Sequence, residues 1–315
     1  MPLFESAQGQ PLAGLKTVET ELSPVWTMNF AASCDDVADA FMDTTDDRTP
    51  LVHPVFMPAC VEVVSAFASL YAAGVTKEEI TKHTFLHHFC DTTFERPMLA
   101  SGQVRTETAL VRVEQKRKGV FTGTKFSHYD ADNILISTGY FGGVVDGLQG
   151  ADAAKATTVA EVPGRIDFPP ADAFDETEII DIPPTAAHIF DACIRNPRKL
   201  KSKNSDINVH TSIGFAKKAG LLARTMNGLG VLGRVVSLLL KTRCNDDPTL
   251  LRRMCCTFSS PLFLRKEVVP LLVRIADRVT KEHGRVIFFQ VFIKSNMQKI
   301  LSNGALILRG NRSRL

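Results

Sequence analysis

The chain of 315 residues lacks several patterns that would name a chemistry at once. Its seven cysteines, at 34, 60, 90, 193, 244, 255 and 256, form no CxxC pair and no Cys/His group at metal-ligand spacing. The thiols are therefore expected to stay reduced. The absence of G-x-S-x-G leaves a serine nucleophile without support. No run of eighteen or more apolar residues occurs, and the first residues lack a basic start followed by an apolar core, so nothing points to secretion or membrane spanning. Charge of one sign is also scarce: 37 basic against 34 acidic side chains leave +3, too little to argue for nucleic acid or a membrane surface. What is present is an ordinary globular composition, 44% hydrophobic, long enough for two domains with substantial cores.

The two halves follow one grammar. After Pro97 come a strand-like run at 103–113, a basic turn at 116–119, and further runs at 120–129 and 133–143. After Pro261 the same series reads 267–275, 281–284, 286–294 and 299–310. Both last runs carry a Ser-x-Gly step, at Ser137 and Ser302, and their β-branched and aromatic residues favour half-buried strands. Each series follows an apolar helix, 58–71 and 228–240, whose all-round hydrophobicity predicts burial. Periodicity alone gives an α+β protein of two similar units. Residues 144–182, rich in Ala, Asp, Glu and Pro, read as a linker crossing the surface.

The most informative stretch is 206–240, where Asp206, Asn208 and His210 stand just ahead of the Gly228 helix. An acid and an imidazole can share proton transfer, an amide can position a partner, and backbone N–H groups at a helix start can polarise a carbonyl. Asp206 as an N-cap or turn residue, and Asn208 as a turn residue, are the purely structural readings.

The order of these parts resembles the MaoC-like, or R-specific, enoyl-CoA hydratase family, whose pattern is an acid, any residue, Asn-Pro, an aliphatic residue and His, followed by His-Gly at a helix start. Two departures are visible: the Pro is missing, so His210 lies four residues after Asp206, and Asn227 stands where a His precedes the Gly. The N-terminal pieces Asn29–Ser33, His53–Pro58, Leu86-His87-His88 and Glu95-Arg96-Pro97 also resemble that family's first domain. The resemblance covers roughly residues 20–310. It implies a double hotdog, two antiparallel sheets each wrapping a central helix, with a non-catalytic N-terminal half (1–143) that accommodates the acyl chain and a C-terminal half (183–310) that carries the motif. It implies reversible hydration of trans-2-enoyl-CoA to (R)-3-hydroxyacyl-CoA. Asp206 and His210 would be the pair, Asn208 the positioning residue and Gly228 the oxyanion donor. No metal or redox cofactor is expected, coenzyme A being part of the substrate, and a homodimer is the expected assembly. A catalytically silent acyl-CoA-binding protein is the alternative, with a thioesterase ranked last.

Arg195, Arg198, Lys199, Lys201 and Lys203 form a basic insertion before the motif that could meet the CoA phosphates, with Arg224, Lys217 and Lys218 as further partners; a solvated loop is the other reading. His83, His87 and His88 with Asp91 and Glu95 resemble a metal cluster on a helix, but the spacing favours a structural role. The string GLGVLG at Gly228, Gly230 and Gly233 lacks a preceding strand, so close packing of the helix against the sheet is expected in place of dinucleotide binding. The final Ser313, Arg314 and Leu315 (311–315 forming a tail) are a variant of the Ser-Lys-Leu peroxisomal address, which would engage the import receptor and direct the chain to the peroxisome or glycosome matrix.

Overall fold

A computed structural model of the chain describes residues 16–66, 85–148, 157–158, 163–194 and 208–310. The N-terminal half runs β1 (Lys16–Leu22), α1 (Pro24–Ser33), a helix α2 described over 56–66 that passes through a π turn at Pro58–Glu62, then β2 (Phe85–Phe94), β3 (Gly102–Lys116), β4 (Gly119–Tyr129) and β5 (Leu135–Asp146). A two-residue β6 (Thr157–Thr158) pairs with β3. The C-terminal half repeats the order: β7 (Glu176–Ile182), α3 (Ala186–Cys193), α4 (Ile213–Lys218), β8 (Thr225–Met226), α5 (Gly228–Arg243), β9 (Leu251–Phe258), β10 (Leu262–Phe263), β11 (Val269–Thr280), β12 (Gly284–Ile293) and β13 (Lys299–Leu308). The strand runs and basic turns expected from the repeat fall on β3 to β5 and β11 to β13.

All strands but β8 and β10 join one antiparallel sheet of order β1-β3-β4-β5-β2-β9-β13-β12-β11-β7, with β6 beside β3. The two hotdog units meet edge to edge where β2 pairs with β9. That seam removes two exposed sheet edges, and it is clamped by Arg253, whose Nε and Nη2 donate to Asp91 at 2.8 and 2.7 Å. α1 and α3 also meet between the two halves, the Phe30 and Phe190 ring centroids 5.6 Å apart and Trp26 Nε1 donating to the Cys193 carbonyl at 2.7 Å. Phe30 lies eight residues after Leu22 and Phe190 eight after Ile182, so both halves place a buried Phe identically after their first strand.

β11 buries Leu271, Val273 and Ile275 on alternate positions, as a strand with one face on a core must. β12 is apolar on both faces: Ile287, Phe289 and Val291 face the core around α5, while Val286 and Phe288 join a second cluster with Ile166 and Phe174. The linker is therefore no simple surface crossing, since its Ile166 and Phe174 pack on the face of β12 opposite α5. Its last stretch also differs from expectation. Residues 176–182 are strand β7, hydrogen-bonded to β11, which moves the start of the C-terminal half back to residue 176.

α5 buries eleven of its sixteen residues, among them Leu229, Leu232, Val235 and Leu239, and truncating any such Leu to Ala costs about 2–5 kcal/mol. The N-terminal helix is less uniform than its composition suggested: Val64 is exposed, and residues 67–71 lie outside the described residues. Glu62 is fully buried there, its Oε1 3.0 Å from His128 Nε2, and His128 Nδ1 is 2.9 Å from Thr106 Oγ1. No described helix is long and apolar enough to cross a membrane.

Candidate active site

The chain enters the site through α3, the only acid of which is Asp191, buried beside Phe190. Asn208 Nδ2 donates to Asp191 Oδ1 at 2.7 Å, and Asn208 Oδ1 accepts the His210 N–H at 2.8 Å. This is the local turn that an Asn side chain makes with the backbone two residues on. It fixes where His210 points. The imidazole Nδ1 is 3.0 Å from the Thr225 carbonyl oxygen and 3.2 Å from Thr225 Oγ1. A carbonyl only accepts, so Nδ1 carries the proton and Nε2 of the neutral ring keeps its lone pair. Burial lowers the His210 pKa, opposed by the Thr225 carbonyl and the Asp191 charge. The half-buried ring is a neutral base.

Thr225 belongs to β8, and two residues later the chain turns into α5. Asn227 is the N-cap, its Oδ1 accepting the Leu229 N–H at 2.9 Å, a direct role for the residue that departs from the family pattern. Gly228 is the first helical residue, and the N–H groups at such a start have no acceptor within the helix. His210 and the amide end of α5 are thus brought together by β8. The glycine string works by close approach: a Cβ on Gly230 would collide with Met226 Cε of β8 and lie 3.1 Å from Phe190 of α3, and one on Gly233 would collide with Cys34 after α1. Only Gly228 faces the large sheet, where a Cβ would lie 2.6 Å from Phe258 Cδ1. A strand does precede the string, contrary to the expectation, but β8 pairs antiparallel with β10 in a separate two-stranded sheet, which is not the parallel strand of a dinucleotide site.

Behind Phe258 stands the N-terminal half. The His87 ring lies 3.7 Å from that of Phe141 and 4.2 Å from that of Phe258, and its Nε2 donates to the Phe89 carbonyl at 3.0 Å. Burial pushes its pKa down to about 3, so the ring is neutral and stacks as an aromatic. His87, His88 and Asp91 sit on strand β2, not on a helix, so the adjacent His87 and His88 point to opposite faces; His83 lies outside the described residues. Among the described residues no group of three His, Cys, Asp or Glu could hold a metal.

Asp206 and the basic residues Arg195, Arg198, Lys199, Lys201 and Lys203 lie outside the described residues, as does the tail with Ser313, Arg314 and Leu315. Arg224 adjoins β8 and donates to His188 Nε2 on α3, one turn from Asp191. Lys217 and Lys218 are exposed at the end of α4. Sequence reasoning missed Asp191, Thr225 and the His87–Phe258 wall. The one available signal was a single acid inside an otherwise apolar helix.

No family model matches the chain, and no curated protein sequence is significantly similar to it. Solved structures do match. A MaoC-like dehydratase from Phytophthora capsici superposes with TM-score 0.75 at 18% identity, covering 96% of this chain and 97% of its own. The full-length peroxisomal multifunctional enzyme type 2 of Drosophila melanogaster gives 0.66 at 16% identity, covering 94% of this chain and 48% of that longer one. A Mycobacterium tuberculosis protein described as having a double hotdog fold gives 0.58 at 13% identity, covering 96% of this chain and 97% of its own. With its two α+β units fused through β2 and β9, the chain has the double hotdog fold.

Proposed function

We propose that this chain is a MaoC-like hydro-lyase that reversibly adds water to a trans-2-enoyl-CoA, giving the (R)-3-hydroxyacyl-CoA. The observation that carries this reading is the tautomer of His210: its Nδ1–H is committed to the Thr225 carbonyl, leaving a basic Nε2 close to the amide end of α5. In the forward direction the water oxygen bonds to C3 and the C2–C3 π bond opens. The Asp206 and His210 pair takes one proton from that water and supplies one to C2. The Gly228 N–H donates to the thioester oxygen, where negative charge gathers as C3 is attacked. Asn208 positions the turn, and the His87–Phe258 wall offers the acyl group an apolar surface. The basic residues from Arg195 to Lys203, with Arg224, are assigned to the CoA phosphates, and the R stereochemistry follows from the resemblance alone.

Peroxisomal or glycosomal import through Ser313-Arg314-Leu315, and assembly as a homodimer, belong to the same proposal. A fluorescent protein carrying the last five residues would report import, and light scattering the assembly.

The deciding experiment follows loss of the conjugated thioester absorbance on adding the protein to crotonyl-CoA and a decenoyl-CoA, with Asp206→Asn and His210→Ala alongside. Loss with the wild type alone, all proteins folded, supports the hydro-lyase. One observation favours a silent acyl-CoA-binding protein instead: the Phe258 ring lies against Gly228. Binding of both thioesters with unchanged absorbance would replace the enzyme by that reading.

A further inference from the structure

The internal repeat that builds the fold also creates a counterpart of the candidate site in the N-terminal half. The site proper lies where β9 ends at Phe258 and the central helix begins at Gly228. In the other half the same junction is the end of β2 at Phe94 and the start of α2. There the described residues enclose a cleft of about 480 Å³, its open mouth included. His53, Met57, Phe94 and Ser137 line it from one half and Leu251 from the other, with Arg96 as its one permanently charged wall residue. The cleft borders Pro248, beyond the far end of α5, and sixteen helical residues span roughly 24 Å. It is separate from the candidate active site.

The second site differs from the first in its polar groups. Of the first amides of α2, the Phe56 N–H is donated to the His53 carbonyl at 2.9 Å, the Ala59 N–H to the Val55 carbonyl at 3.1 Å, and Pro58 has no N–H. The imidazole is also engaged on both nitrogens. His53 Nδ1 accepts the Val55 N–H at 3.2 Å, so Nε2 is the donor to Ser237 Oγ at 3.1 Å, with Asp36 Oδ2 3.9 Å away. A mostly apolar hollow therefore remains, its lining imidazole engaged on both nitrogens, next to a cation. Among the described residues the Arg96 side chain bonds only Asp130, through Nη1 at 3.2 Å, and the side chain is 42% exposed, so a carboxylate can reach its other nitrogens.

We infer that this cleft is a binding site for a free aliphatic monocarboxylate of medium chain length, its tail between Met57, Phe94 and Leu251 and its carboxylate on Arg96. The site binds without reacting, and it does not rest on the hydro-lyase reading. The experiment is calorimetric titration of the full chain with octanoate and with octanol. One octanoate per chain is expected. Arg96→Gln should weaken octanoate about tenfold and leave octanol unchanged, in line with the loss of a charge-assisted hydrogen bond. Thr249→Trp, at the exposed rim, should block both ligands while keeping the wild-type melting temperature. His210→Ala should leave octanoate binding unaltered. Absence of saturable binding, binding that survives Thr249→Trp, or binding lost in His210→Ala would each overturn the site; equal octanoate affinity in Arg96→Gln would overturn its carboxylate specificity.

Discussion

His210 Nδ1 stands 3.0 Å from the carbonyl oxygen of Thr225, a β8 residue fifteen positions later and two before the Asn227 cap of α5. The contact couples the tautomer of the base to the strand that delivers the helix amide. Nitrogen NMR of histidine-labelled protein should show His210 protonated on Nδ1 and titrating below the ordinary value near 6.5, because burial disfavours the imidazolium. Since the neutral ring is the base, the acid limb of hydration activity should fall below pH 6.5 as well. A His210 that titrates above 7 would contradict both.

The Asp191–Asn208 bond predicts a loss felt in turnover. Asp191→Ala removes the acceptor of the Asn208 Nδ2–H and loosens the 208–210 turn, so kcat should drop about tenfold or more through misplacement of His210, with KM little changed. An equal change confined to KM would assign Asp191 to substrate binding instead.

Gly228→Ala tests the fit between helix and sheet. The added Cβ would lie 2.6 Å from Phe258 Cδ1, so the ring must move, at a cost of about 1–3 kcal/mol in stability. Thermal melts of Gly228→Ala alone and with Phe258→Leu should show the second substitution restoring part of the loss. Additive losses would mean the ring is not the obstacle.

His53 supplies a pH dependence of stability. Burial holds its pKa down to about 3 in the folded chain, against about 6.5 unfolded. Below pH 6.5 the unfolded state takes up a proton that the folded state refuses, so stability falls with falling pH until about 3. At pH 5 the contribution is about 2 kcal/mol. Urea unfolding of wild type and His53→Gln at pH 7 and 5 should show a shallower pH dependence in the variant, and parallel behaviour would assign the slope elsewhere.

Much of this architecture is local and therefore legible. Alternating apolar residues with a basic turn and a Gly mark the β11–β12 hairpin, and Gly284, at φ 71°, sits at the turn that the Lys281–Gly284 series predicted. An apolar run beginning at Gly228 gives α5, and the nearness of Asn208, His210 and Gly228 in sequence places them at one end of it. The reading failed where composition was ambiguous. The His87-His88 segment looks helical by the spacing of its imidazoles, and its strand form follows from pairing with β5 on one side and β9 on the other.

Tertiary structure alone decided the rest. The β2–β9 seam joins residues 160 or more positions apart, and no local propensity encodes such a partner. The same holds for Asp191 beneath Asn208, for the proton on His210 Nδ1, and for the linker side chains Ile166 and Phe174 lying over β12. The sequence by itself determined two units of one grammar and a polar motif at a helix start. Which surfaces those units cover in each other depended on burial and hydrogen-bond partners that only the folded chain supplies, because long-range contacts form from shape and not from neighbours in the chain.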